Sequence, residues 1–153
     1  MNQYFDDFQI GQSFRSGGRT VTEADITAFA GVSGDFNPLH TDEQWVRENT
    51  GFDGRIAHGL LVLAISTGLR TPELDNLQIL AYLEVSRTML APTYPGDTLS
   101  MVQTVDKMTP SRSRPGVGVI TFAITMLKID GTVVQRGTDV YLVGARPGTE
   151  SQD

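Results

Sequence analysis

The segment 59–69 constrains the fold of this chain more than any other part of its sequence. It reads GLLVLAISTGL and is apolar on every side, so periodicity alone cannot separate a buried helix from a buried strand. Its length of about three turns, its leucine and alanine content and its leading glycine favour a buried helix. Pro72 ends that helix, and the rest of the chain must supply a surface that covers it.

The second half of the chain predicts an antiparallel sheet. Its apolar residues recur with a period of two or in β-rich runs, and the segments that predict strands are 77–86, 99–105, 117–129 and 133–143. Asp130-Gly131 predicts a tight hairpin between the last two of these strands. We expect a further strand within 12–21, interrupted by Gly17-Gly18, and a polar loop at 109–116.

These elements predict an α+β fold in which an antiparallel sheet wraps around one long central apolar helix. At 153 residues the chain is one domain, which we place at 1–143. The tail at 144–153 has no core residues, and we expect it to be disordered. The free edges of such a sheet are available for pairing between subunits.

The first half predicts two short helices. Thr22 has the character of an N-cap, and its helix should stop at Gly31. Thr41 and Gln44 fit a capping box for the second helix, which should end near Gly51.

Composition argues against several classes of partner. A net charge of −6 without a basic stripe is a poor basis for nucleic-acid binding, and no apolar run approaches the ~20 residues of a membrane-spanning helix. The N-terminal residues do not have the pattern of a signal peptide, so we expect a cytoplasmic protein. Because cysteine is absent, disulfides, thiol nucleophiles and thiolate metal ligands are excluded.

The run Gly34-Asp35-Phe36-Asn37-Pro38-Leu39-His40 contains the residues best suited to chemistry. It places a carboxylate and one of only two histidines five residues apart. The Asn37-Pro38 step disfavours helical geometry at Asn37, so we expect the run to be a loop between the two short helices. A carboxylate and an imidazole that face one water molecule can perform general acid–base catalysis near neutral pH.

Together with two later motifs, this run resembles the MaoC-like (R)-specific enoyl-CoA hydratases, which are hotdog-fold enzymes. The later motifs are Ile56-Ala57-His58-Gly59-Leu60 and Tyr94-Pro95-Gly96-Asp97-Thr98, and the similarity extends from about Phe5 to Val143. The resemblance implies a hotdog fold, a homodimer or higher homo-oligomer, and reversible addition of water to a trans-2-enoyl thioester, which gives an (R)-3-hydroxyacyl thioester. It implies no separate cofactor, because coenzyme A is part of the substrate.

The resemblance also implies roles for individual residues. Asp35 and His40 are the catalytic pair, and Gly59 offers its backbone N–H to the thioester carbonyl. A helix N-terminus suits that task, because free N–H groups and the positive end of the helix dipole converge there. Three further residues are candidates for supporting roles: Asn37, His58 and Thr67.

Each of these residues also has an ordinary structural interpretation. Asp35 and Asn37 can form turn and capping hydrogen bonds, and Thr67 can bond back to its own helix. His58 can be a packed core residue. Asp35, His40 and His58 could together ligate a metal ion, but without further clustered ligands we predict no metal site.

The sequence leaves the substrate and two alternative functions open. The alternatives are a dehydratase for a branched or dicarboxylic acyl-CoA and a non-catalytic hotdog module that binds acyl thioesters. Neither the acyl chain length nor the choice between coenzyme A and acyl-carrier protein can be read from the chain. Arginines could hold the phosphates of coenzyme A, although solvated surface charge is their ordinary role; the candidates are Arg87, Arg112 and Arg114.

Overall fold

Six strands form one antiparallel sheet in the computed structural model, which describes residues 1–148. They are β1 (Ser13–Arg15), β2 (Arg19–Thr20), β3 (Ile79–Met89), β4 (Thr98–Pro110), β5 (Gly118–Lys128) and β6 (Val133–Val143). Their order in the sheet is β1-β4-β5-β6-β3, and β2 also pairs with β4. One edge of the sheet is therefore the long strand β3, and the short strands β1 and β2 lie at the other.

Four α-helices accompany the sheet in this part of the chain. They are α1 (Glu23–Ser33), α2 (Pro38–Thr41), α3 (Glu43–Asn49) and α4 (Gly59–Gly68). Helix α4 packs on the sheet, because its buried residues Leu61, Val62 and Ile65 belong to the same core cluster as Phe122 of β5 and Tyr141 of β6. The predicted combination of an antiparallel sheet with an apolar helix packed on it is confirmed.

The central helix and the edge strand are less enclosed than their compositions predict. Leu60 of α4 is 60% exposed, and Ala64 is also exposed. In β3, Leu80, Tyr82 and Leu83 are each more than two-fifths exposed. The predicted burial of α4 is therefore only partial in the single chain. Strand β3 is also largely exposed, and among the described residues it pairs with one strand only, β6.

The ends of the first helices also differ from the predicted ones. Helix α1 continues past Gly31 and ends at Gly34, whose φ of 75° lies in the left-handed region that glycine adopts without strain. Asp42 caps α3 in place of Thr41, because the Asp42 side chain accepts the N–H of Trp45. Helix α3 ends two residues before the expected end near 51.

Several strand predictions hold closely. The predicted hairpin between β5 and β6 forms, but its connection spans 129–132 in place of a two-residue turn, and of Asp130 and Gly131 only Gly131 has a positive φ, of 89°. The interrupted strand within 12–21 is confirmed as β1 and β2, which lie on either side of Gly17 and Gly18. Strand β4 continues to Pro110, so the polar loop begins after that residue and not at 109.

The chain remains attached to the domain just beyond β6. The N–H of Gly144 donates to the carbonyl of Gln78 at 2.8 Å, and Arg146 forms an ion pair with Asp7. The expectation of a disordered tail at 144–153 stays a prediction, and residues 149–153 lie outside the described residues. Among residues 1–148, no helix combines the length and apolar character needed to cross a membrane.

Candidate active site

Asp35 and His40 lie at the junction between α1 and α2. Asn37 is the N-cap of α2, and Pro38 occupies the first helical position, where its missing N–H costs no hydrogen bond. The run was predicted to be a loop, but its last three residues begin a short helix that contains His40. His40 Nε2 and Asp35 Oδ2 are 3.8 Å apart.

The tautomer of His40 follows from its second ring nitrogen. Nδ1 lies 2.7 Å from the carbonyl oxygen of Ile56, which can only accept, so Nδ1 carries the proton of the neutral ring. Nε2 is then a lone-pair nitrogen that faces the Asp35 carboxylate. Two acceptors that each lie about 2.8 Å from one shared water are roughly 4 Å apart. The 3.8 Å between His40 Nε2 and Asp35 Oδ2 therefore fits a bridging water better than a direct hydrogen bond.

The two members of the pair differ in their exposure. The side chain of His40 is 10% exposed, whereas that of Asp35 is 51% exposed. Asp35 Oδ1 accepts the N–H of Asn37 at 3.2 Å, which orients the carboxylate and leaves Oδ2 toward His40. Asn37 itself uses its side-chain oxygen to accept the N–H of Leu39, so its contacts are those of a helix cap.

His58 contacts both His40 and Asp35. Its ring stacks on that of His40 with centroids 3.7 Å apart and an interplanar angle of 27°. Its Nε2 lies 3.0 Å from the backbone carbonyl of Asp35, and the Phe29 ring lies 5.0 Å away. The Nδ1 atom of His58 is buried and has no hydrogen-bond partner among the described residues.

Gly59 begins α4 immediately after His58, which is the N-cap. Its N–H is one of the first four of the helix, which have no partner inside the helix. A side chain at this position would collide with Met89, since a Cβ would lie 2.9 Å from Met89 Cγ and Cε. Gln135 of β6 donates from Nε2 to the Gly59 carbonyl at 2.7 Å.

Gln135 is a site residue that sequence reasoning missed. It is 2% exposed and lies in the run Val133-Val134-Gln135, where an inward-facing polar side chain interrupts a buried strand. A buried polar residue of this kind usually has a specific partner, and here the partner is Gly59. That interruption was the available signal.

A cavity of about 370 Å³ adjoins His40 and the start of α4, and Asp35 is not among the residues that line it. His40 and Gly59 contribute to its wall, which is otherwise mainly apolar; further lining residues include Leu39, Phe52, Val62, Met89, Leu90 and Gln135. This volume is at the lower end of the range for small-ligand sites. An acyl group in the cavity would therefore lie next to the His40 imidazole and the N-terminus of α4.

Thr67 is not brought to the pair within this chain. Its hydroxyl donates to the carbonyl of Ala64 at 2.7 Å, and the residue is exposed on α4. It is absent from the residues that line the cavity. Thr67 therefore bonds back to its own helix, which is the structural role considered for it above.

Arg87 is not available to bind phosphates. Its side chain is 1% exposed and pairs with Asp139 at 2.8 Å, and Tyr82 donates its hydroxyl to the same carboxylate at 2.7 Å. Burial, followed by the hydrogen bond and the charge of Asp139, raises the pKa of Tyr82, so its phenol stays protonated. Arg112 and Arg114 are exposed in the loop between β4 and β5.

The geometry of the two imidazoles opposes a shared metal ion. Asp35, His40 and His58 each have a candidate ligand atom within 4.8 Å of the others. A nitrogen lone pair lies in the plane of its ring, and planes that stack at 27° do not bring two lone pairs together on one nearby ion. That no metal is needed stays a prediction.

Comparison with known proteins places the chain in a family. Residues 7–125 match the family model described as the MaoC like domain. The chain belongs to the MaoC-like family. It is 35% identical to an (R)-specific enoyl-CoA hydratase of Rhodospirillum rubrum, over 94% of this chain and 93% of that one. The named relatives are hydratases and dehydratases, so the protein is an enzyme of the hydro-lyase class.

Solved structures agree with this assignment. A MaoC-like dehydratase from Rhodospirillum rubrum superposes with a TM-score of 0.83 at 34% identity, covering 95% of this chain and 99% of that one. A Mycobacterium tuberculosis protein described as a double hotdog fold matches with a TM-score of 0.83 at 23% identity, covering 98% of this chain and 46% of its own. The predicted hotdog fold is confirmed.

Proposed function

We propose that this MaoC-like hydro-lyase is an (R)-specific enoyl-CoA hydratase. It would add water reversibly to a trans-2-enoyl-CoA and give an (R)-3-hydroxyacyl-CoA. The observation that carries the proposal is the 3.8 Å gap between His40 Nε2 and Asp35 Oδ2, beside an apolar cavity whose wall includes Gly59. Similarity to named enoyl-CoA hydratases supports the same reaction.

The proposed reaction begins with one water held by both acceptors. The water donates one O–H to the Asp35 carboxylate and the other to the neutral His40, so its oxygen lone pair is free to attack C3 of the enoyl group. One of the two residues takes the water proton as the new C–O bond forms. The thioester oxygen gains negative charge, which the N–H of Gly59 stabilises at the positive end of α4.

The second proton completes the addition. The electrons of the C2–C3 double bond move to C2 and the thioester, and the acid–base pair returns a proton to C2. Water is thereby added as H at C2 and OH at C3, and the pair regains its starting protonation. The reverse sequence is the dehydration of a 3-hydroxyacyl thioester.

A panel of substrates tests this function. Short, long, branched and dicarboxylic enoyl-CoAs would be followed by the loss of enoyl-thioester absorbance, and turnover is expected for at least one linear enoyl-CoA. Turnover confined to the branched or dicarboxylic substrates would favour the alternative dehydratase. Binding of acyl-CoA without turnover of any substrate would favour the non-catalytic module.

The edge strand supports a further part of the proposal, a homodimer. Strand β3 has eleven residues and several exposed apolar side chains, including Leu80, Leu83 and Val85, and no other strand within residues 1–148 pairs with its outer side. Unpaired edges with exposed apolar residues are sites for strand pairing between chains. We therefore propose that β3 pairs with the β3 of a second copy.

A further inference from the structure

His58 connects the parts of the site that the reaction requires. It precedes Gly59 in the chain and occupies the N-cap position of α4, where its side chain makes no capping hydrogen bond and is left to contact the catalytic candidates. Its ring lies on the ring of His40, and its Nε2 contacts the backbone of Asp35. The His58 side chain therefore contacts both His40 and Asp35, and His58 is adjacent in sequence to Gly59, the proposed oxyanion donor.

The contacts of His58 define its tautomer. The carbonyl of Asp35 can only accept, so the Nε2 atom 3.0 Å away must carry the proton. Nδ1 then bears the lone pair. No described group donates to it, although it is buried. This arrangement gives His58 one oriented donor, aimed at the peptide that carries the Asp35 carboxylate.

We propose that His58 is a positioning residue for the hydration reaction, which holds Asp35 through a hydrogen bond from Nε2 to its carbonyl. This inference rests on the proposed function. Asp35 needs such a support because it lies between two helices and its side chain is half exposed. A shift of the carboxylate away from His40 would separate the two acceptors that hold the water. Misplacement by about 1 Å can cost on the order of 100-fold in rate.

The alternative is that His58 only fills space between the Phe29 and His40 rings. Two substitutions separate the two roles. His58→Phe keeps an aromatic ring between Phe29 and His40 but removes the donor. His58→Gln removes the ring but can place an amide N–H near the position of Nε2, since the glutamine amide nitrogen and the histidine Nε2 are at similar reach from the backbone.

Kinetics of both variants on crotonyl-CoA, together with their urea unfolding midpoints, test the proposal. We expect His58→Phe to lower kcat roughly 10- to 100-fold with KM changed less than about threefold. His58→Gln should retain kcat within about fivefold of wild type even where it is the less stable variant. A wild-type kcat in His58→Phe would overturn the proposal. A fall in kcat that parallels the fall in urea unfolding midpoint in both variants would also overturn it.

The tautomer provides a test that needs no variant to fold. The chain has two histidines, so long-range ¹H–¹⁵N correlation spectra at pH 8 can resolve both rings. We expect the His58 ring to carry its proton on Nε2 and the His40 ring on Nδ1. A His58 protonated on Nδ1 would contradict the proposal. A wild-type protein without activity on any enoyl-CoA, but with these tautomers, would contradict the proposed function while leaving the geometry of His58 intact.

Discussion

At the scale of single residues, the site works through the direction in which a few donors and acceptors point. The carbonyl of Ile56 fixes the proton of His40 on Nδ1 and leaves Nε2 as an acceptor. The N–H of Asn37 holds one oxygen of Asp35 and leaves the other toward His40. In the proposed mechanism, two acceptors 3.8 Å apart hold a water by both of its hydrogens, which leaves the water oxygen free as a nucleophile.

The first prediction concerns this pair. Asp35→Asn and His40→Gln are each expected to lower kcat for crotonyl-CoA hydration by about 10²–10⁴-fold, because an amide can accept a hydrogen bond from the water but cannot take its proton. Stopped-flow or steady-state absorbance assays measure this loss. Asp6→Asn, an exposed carboxylate in the N-terminal turn, is the control and should leave kcat unchanged. Activity near wild type in either site variant would remove that residue from the mechanism.

A second prediction at this scale concerns Gln135. Gln135→Met keeps the length of the side chain but removes the donor to the Gly59 carbonyl. We expect kcat to fall roughly tenfold with little change in KM, because the first turn of α4 would be held less firmly where the oxyanion forms. An increase in KM with unchanged kcat would instead show that Gln135 contacts the substrate in its ground state.

At the scale of elements, short helices place the catalytic residues, and their caps decide where each helix ends. The N-terminus of α1 has a capping box in which Thr22 and Asp25 exchange hydrogen bonds. The backbone N–H of Thr22 holds the pKa of Asp25 below its usual value. Burial opposes this effect, and the Thr22 hydroxyl and the charge of Arg19 lower the pKa further by smaller amounts. The far end of α1 leads into Asp35.

The third prediction follows from this cap. Asp25→Ala should lower the free energy of unfolding by about 1 kcal/mol at pH 7. Because the pKa of Asp25 is lowered in the folded protein, its contribution is present above the unfolded-state pKa and is lost as the pH falls through the folded-state value. Urea unfolding at pH 7 and pH 3 should therefore show a difference between wild type and variant that shrinks at pH 3. An equal or larger difference at pH 3 would contradict the assignment of this effect to the carboxylate.

Prediction from sequence succeeded where local chemistry decides the structure. The Asp130-Gly131 hairpin and the Gly59 start of α4 follow from turn and helix preferences of the residues themselves. The end of α1 was misplaced because either Gly31 or Gly34 could end a helix. In the structure Gly34 is the C-cap, with a φ of 75°. Gln135 was missed because its partner, Gly59, is 76 residues away in the chain.

At the scale of the whole molecule, the single chain leaves apolar surface uncovered along β3 and α4. Leu60 on the helix and Leu83 on the strand are both more than half exposed. Composition alone overestimated the burial of α4 and β3, because the described part of this chain leaves these side chains uncovered. A second copy paired along β3 would cover this region.

The fourth prediction tests that pairing. Leu83→Lys places a charge on the exposed edge strand and should convert a dimer into a monomer, because a buried unpaired charge at the interface is costly. Light scattering coupled to size exclusion measures the mass of the particle. Ile129→Lys is the matched control, because Ile129 is 89% exposed in the β5–β6 turn, away from the edge. A wild-type monomer, or a dimer that survives Leu83→Lys, would contradict the β3 interface.

The most direct test of the proposed reaction is the stereochemistry of hydration in the wild-type protein and in Asp35→Asn. The product from crotonyl-CoA would be resolved by chiral chromatography after hydrolysis of the thioester. The proposed mechanism predicts the (R)-3-hydroxybutyryl product from wild type, and a loss of at least about 100-fold in its rate of formation in Asp35→Asn. Formation of the (S)-product, or an undiminished rate in the variant, would contradict it.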